Sequence, residues 1–157
     1  MILVVEGLCE QERMQFARKV NGKTGWPIYC YGSDSPVRLE REEFARRDKM
    51  VSFIEDTKVG NIVLVDFYMR MAIDGVVDGG WLAMTTVGLA ESLSKRLSDL
   101  GAVLVRCSDS SGLKTPENAF ADKVRHSLFD LLYDMWPGEK RTTSVLEFDH
   151  TIYNLRI

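Results

Sequence analysis

Glutamate, aspartate and arginine side chains stand where short apolar runs stop, and these residue types handle phosphate, metal ions and protons. Ile2-Leu3-Val4-Val5 ends in Glu6-Gly7, Ile62-Val63-Leu64-Val65 ends in Asp66, Ala102–Val105 ends in Arg106-Cys107, and Val145–Phe148 ends in Asp149. Pro27–Tyr31, closed by Gly32, is a weaker fifth run. Asp66 suits a magnesium ion, held directly or through water, or a phosphate acceptor. Arg13 lies one helical stretch after Glu6-Gly7, and its planar guanidinium can fork onto phosphate oxygens. A strand-end aspartate that caps the next helix, and an arginine that pairs with Glu10 or Glu12 on a solvated helix, are the plainer readings of the same residues.

The elements that would carry these side chains follow from the hydrophobic pattern. The first three runs are Val-, Ile- and Leu-rich without alternation, as strands buried on both faces should be. Helical spacing fills the gaps. Met14, Phe16, Ala17 and Val20 mark 10–20, and Leu39, Phe44, Met50, Val51, Phe53 and Ile54 mark 39–56. Leu82, Leu89, Leu93, Leu97 and Leu100 mark 82–100. Thr115-Pro116-Glu117 opens a helix over 116–135 with a Thr cap and a first-turn Pro. Strands alternating with such helices predict a three-layer α/β/α domain with a five-stranded parallel sheet. In these sheets ligands bind outside the carboxyl ends of the strands, where Glu6, Gly7, Asp66, Arg106 and Asp149 fall.

The chain has 157 residues, 45% hydrophobic and 27% charged, with a net charge of −3. This fits one globular domain over 1–157. The charge argues against a nucleic-acid partner, which favours a basic excess. No apolar run approaches the roughly 20 residues of a membrane span. The first residues enter an apolar run without a basic leader, and Cys9, Cys30 and Cys107 are odd in number and far apart. These features predict a cytoplasmic protein with reduced thiols and no membrane partner. His126 and His150 lie in no zinc-ligand spacing.

The segment 2–20 reads as strand, turn and helix, the setting of a phosphate-binding loop. Such a loop needs glycines whose backbone N–H groups wrap phosphate, a Lys for the outer phosphates and a Ser or Thr for magnesium. Here Gly7 remains, Arg13 stands in the place of the Lys and Met14 in the place of the hydroxyl residue. Glu10 and Glu12 put negative charge where phosphate would lie.

Several segments together resemble the thymidylate kinase family of P-loop nucleoside monophosphate kinases. Val4-Val5-Glu6-Gly7 followed by Ala17-Arg18-Lys19 resembles its first strand and helix. Glu43-Phe44-Ala45-Arg46-Arg47-Asp48 with Phe53-Ile54 resembles its acceptor-nucleotide helix. Asn61–Tyr68 resembles a strand ending in Asp-Arg-Tyr, and Ala72-Ile73-Asp74-Gly75 the Ala-Tyr-Gln-Gly that follows. Phe120–Arg125 with Leu128 resembles its penultimate helix, and Val145–Asp149 with Ile152 its last strand and the turn into the terminal segment. The segments span nearly the whole chain in the family's order.

The resemblance implies strand order 2-3-1-4-5, a homodimer through the helices flanking the sheet (39–56 and 82–100), and ATP-dependent phosphoryl transfer with Mg²⁺ to a deoxynucleoside monophosphate. It implies phosphate contacts from Gly7 and Arg13, catalytic roles for Arg13 and Asp66, and metal at Asp66. Acceptor-nucleotide contacts fall to Phe44, Arg47, Tyr68 and Arg70. The chain also departs from the family. Phe67 replaces the Arg of Asp-Arg-Tyr, and the acceptor-helix Arg aligns on Asp48, with Arg47 one place early. Ser108–Asn118 is a short loop with Lys114 as its one basic residue, where the family carries an arginine-bearing lid. Phosphoryl transfer is mostly positioning and charge neutralisation. These departures support an alternative: a catalytically inactive kinase-fold protein that acts as a regulatory, inhibitory or assembly subunit through protein contacts.

Overall fold

The computed structural model describes residues 1–31, 40–77, 83–107 and 119–143. Its strands are β1 (Ile2–Glu6), β2 (Ile28–Cys30), β3 (Ile62–Val65), β4 (Val103–Arg106) and β5 (Arg141–Thr143). Its helices are α1 (Glu10–Thr24), α2 (Glu40–Thr57), α3 (Met69–Val77), α4 (Ala83–Asp99) and α5 (Ala119–Asp134). All strand pairs are parallel and the order is 2-3-1-4-5. The fold class and strand order expected from the sequence are therefore those observed.

The apolar runs form the centre of this sheet because both of their faces are covered. Leu3, Val5, Val63, Val65, Val103 and Val105 pack with Phe16, Ala17 and Val20 of α1. Ile2, Val4, Ile62, Leu64 and Leu104 pack on the opposite face, against α2, α3, α4 and α5. Phe44, Ile54, Ile73, Leu93, Leu97 and Phe129 form that second core. Each such side chain, fully buried, contributes about 1.5–3 kcal/mol. Gly25 ends α1 in the left-handed region, at φ 74°, and its N–H bonds the Asn21 carbonyl at 2.8 Å, a conformation that suits glycine.

Two elements differ from the sequence reading. The fifth strand is Arg141–Thr143, upstream of the apolar run Val145–Asp149, which lies outside the described residues. As a partly buried sheet-edge strand of Arg, Thr and Thr, β5 carries no apolar run to announce it. Helix α3 follows β3 directly, with Met69, Ala72, Ile73 and Gly75 buried. Its spacing is helical, but the segment is short and reads equally as a connecting loop. The Thr115-Pro116-Glu117 cap and the short loop 108–118 lie outside the described residues.

Candidate functional site

The central strands β1 and β3 end side by side, so their turns face each other at the top of the sheet. Only Gly7, Leu8 and Cys9 separate β1 from α1. Gly7 is fixed by packing: a Cβ there would stand 3.1 Å from the Cys107 Cβ. The turn that follows is too short to wrap a phosphate chain, and its carbonyls are directed at cations. Arg13 NH1 donates to the Gly7 carbonyl at 2.5 Å, and Arg70 NH1 donates to the Leu8 carbonyl at 3.0 Å. A phosphate cradle needs the reverse polarity, with N–H groups facing the anion.

Arg13 and Asp66, nominated separately from the sequence, form one buried ion pair. Arg13 NH2 donates to Asp66 Oδ2 at 2.8 Å, with Arg13 3% and Asp66 7% exposed. The reading of Arg13 as a solvated helix residue is thus corrected: α1 aims it inward, beneath the turn. Asp66 adopts φ 53°, a left-handed conformation that aspartate tolerates better than most residues. Its N–H remains in the sheet, donating to the Val5 carbonyl at 3.1 Å. Burial pushes the Asp66 carboxyl up, and the Arg13 guanidinium opposes that shift.

The left-handed turn at Asp66 directs the next two amides towards β1. Phe67 N–H and Tyr68 N–H both donate to Glu6 Oε1, at 3.0 and 3.1 Å. Two successive amides after a left-handed residue, at the start of α3, make an anion-binding concavity. The chain's own Glu6 carboxyl fills it. Glu6 is wholly buried, and Oε2 has no hydrogen-bond partner. Its pKa is pushed up to about 7, chiefly by burial and then by the Asp66 charge, against the amide bonds and Arg13. Strand-end position brings Glu6 into the candidate set, but sequence alone gave it no role in the site. The signal was a lone carboxylate directly after four apolar residues of a central strand.

The nominated acceptor residues are also committed internally. Phe44 is buried in the core beneath α2. Arg47 is buried, donating through Nε to the Phe67 carbonyl and through NH1 to Glu43. The Arg46 and Arg47 guanidiniums each lie 4.9 Å from the Tyr31 ring centroid. The Tyr68 hydroxyl meets the Ser94 hydroxyl at 2.6 Å inside the core. Arg70 pairs with Asp74 at 3.1 Å as well as with the Leu8 carbonyl. The structure therefore gathers Gly7, Arg13, Asp66, Tyr68, Arg70 and Arg47 around two turns, and each of these side chains or carbonyls already has a protein partner.

This arrangement does not fit a magnesium-bound nucleotide. The candidate metal ligand Asp66 faces a guanidinium, the β1–α1 turn presents carbonyls, and no hydroxyl residue stands at the start of α1. No cluster of three or more His, Cys, Asp or Glu side chains able to hold a metal occurs among the described residues. A groove of about 590 Å³ lies elsewhere, lined by Gly88, Glu91, Ser92, Lys95, Met135 and Pro137 among others. None of the nominated residues lines it. No helix among the described residues is long and apolar enough to cross a membrane. Comparisons with protein-family models, with curated proteins and with solved structures find no match for this chain.

Proposed function

We propose that the chain is a non-catalytic protein of nucleotide-kinase-like design, acting through protein contacts as a regulatory, inhibitory or assembly subunit. One observation carries this reading: the turn that would cradle phosphate gives its Gly7 and Leu8 carbonyls to Arg13 and Arg70. An anionic ligand there would meet carbonyl dipoles and find both nearby guanidiniums engaged. Phe53, on α2, is 53% exposed and offers a large apolar side chain for a partner to cover.

The competing reading is a deoxynucleoside monophosphate kinase that uses ATP and Mg²⁺, with a nucleotide at the carboxyl ends of the strands. It is favoured by the strand order and by the clustering of Arg13, Asp66 and Tyr68 at the ends of the two central strands. A coupled phosphotransfer assay with ATP, Mg²⁺ and each deoxynucleoside monophosphate separates the two. The proposal expects no turnover above a protein-free control. It also expects that one partner protein is captured by the wild-type chain and lost with Phe53→Glu. Turnover by the wild-type chain above that control would overturn it and establish the kinase.

A further inference from the structure

Two unsatisfied groups of opposite polarity share the buried cluster at the top of β1. Glu6 Oε1 accepts both turn amides, while Oε2 accepts no hydrogen bond. Arg13 spends NH1 on the Gly7 carbonyl and NH2 on Asp66, while its buried Nε has no acceptor. Once Glu6 is ionised, its Oε2 is a spare acceptor and Arg13 Nε–H a spare donor, both removed from water and each costly while unmet. They are complementary, and Arg13 already acts on the Glu6 charge.

We infer that Glu6, Arg13 and Asp66 form a proton-controlled latch, in which Arg13 bonds Asp66 while Glu6 is protonated and turns its Nε–H to Glu6 when that proton leaves. With Glu6 neutral, the cluster holds one guanidinium and one carboxylate, which balance. When Glu6 releases its proton to bulk water, two carboxylates compete for one guanidinium. Arg13 then has a reason to leave the geometry that closes the crevice.

The other charged groups around the cluster have partners of their own. Arg106, the β4 neighbour of Glu6 in register, is bound to Asp130 of α5 at 2.6 Å and lies over the Phe129 ring. Arg47 of α2 is held by Glu43 and the Phe67 carbonyl. Arg70 of α3 is held by Asp74 and the Leu8 carbonyl. The Tyr68 hydroxyl is turned to Ser94. Burial raises the Glu6 pKa to about 7, which sets the latch to move near neutral pH. The inference concerns the closed cluster itself and is independent of whether the chain binds a nucleotide.

The test is an NMR titration of the whole chain from acid to alkaline pH, following the Glu6 and Asp66 carboxyl carbons and the Arg13 Nε–H. The latch predicts a Glu6 midpoint about 2–3 pH units above that of an exposed glutamate. Arg13 Nε–H and the Asp66 carbon should shift with the same midpoint. In Glu6→Gln the Arg13 step should vanish, while the Arg13–Asp66 bond persists. A Glu6 midpoint near 4–5, or an Arg13 Nε–H that stays unmoved while Glu6 titrates, would overturn the inference. The wild-type titration alone decides the matter should the variant not fold.

Discussion

The two turns that face each other across the crevice have opposite polarity. The turn after β1 presents carbonyls, at Gly7 and Leu8, and arginines fill the space before them. The turn after β3 presents amides, at Phe67 and Tyr68, and a glutamate fills the space before them. An anion-binding geometry is thus present, but it belongs to the β3–α3 turn and is satisfied from within. What a ligand would supply in an open site, this chain supplies from Glu6, Arg13, Asp66 and Arg70. The comparison explains how one group of side chains can look like chemistry in the sequence and act as structure in the fold.

The largest way to break the comparison is to remove the cation beneath the first turn. Arg13→Ala leaves Asp66 buried without its partner, and breaking a buried pair in this way costs about 3–5 kcal/mol. Urea denaturation should show that loss as a lower midpoint. The buried carboxyl of the second turn gives the next effect. From its ordinary value of 4.5 up to about 7, the folded chain holds the Glu6 proton and the unfolded chain does not. Stability is therefore greatest below that window and falls as pH rises through it, by about 3 kcal/mol. Asp66, also raised, adds a fall of the same sign. Denaturation at several pH values should give this slope in the wild type and a flatter one in Glu6→Gln.

A smaller effect tests why Gly7 is glycine. Its Cβ would stand 3.1 Å from the Cys107 Cβ, so in Gly7→Ala Cys107 must give by a few tenths of an ångström, and overpacking of this kind costs about 1–3 kcal/mol. A loss in stability in a chain that binds no anion would assign Gly7 to packing rather than to phosphate. The smallest effect belongs to the outer helices. Arg96 of α4 is tied to Asp48, Ser52 and Glu55 of α2, mostly at the surface. Arg96→Ala should cost less than about 1 kcal/mol, and added salt should shrink the difference further.

Much of the fold was legible because central parallel strands must be apolar on both faces, and the runs at 2–5, 62–65 and 102–105 say so directly. Helix α3 was less legible because nine residues with a glycine resemble a loop. β5 was hidden because edge strands need no apolar run. The site was legible as positions and not as contacts. Arg13 sits between Glu12 and Met14 on a helix otherwise marked by charged residues, which reads as a solvated surface. Its partner is Asp66, 53 residues away, and only the pairing of β1 with β3 brings them together. Arg47 misleads for the same reason, since its acceptor is a backbone carbonyl 20 residues away. Glu6 stood at a nominated strand end, yet its task depends on the left-handed turn at Asp66, which no local pattern announces.

The central claim, that the crevice is closed by the chain's own side chains, is tested most directly by calorimetric titration with Mg²⁺–ATP and, separately, with dTMP. The account predicts no saturable heat for either ligand up to millimolar concentration. Saturable micromolar binding of either ligand would contradict it, because the crevice would then admit a nucleotide despite the chain's own side chains.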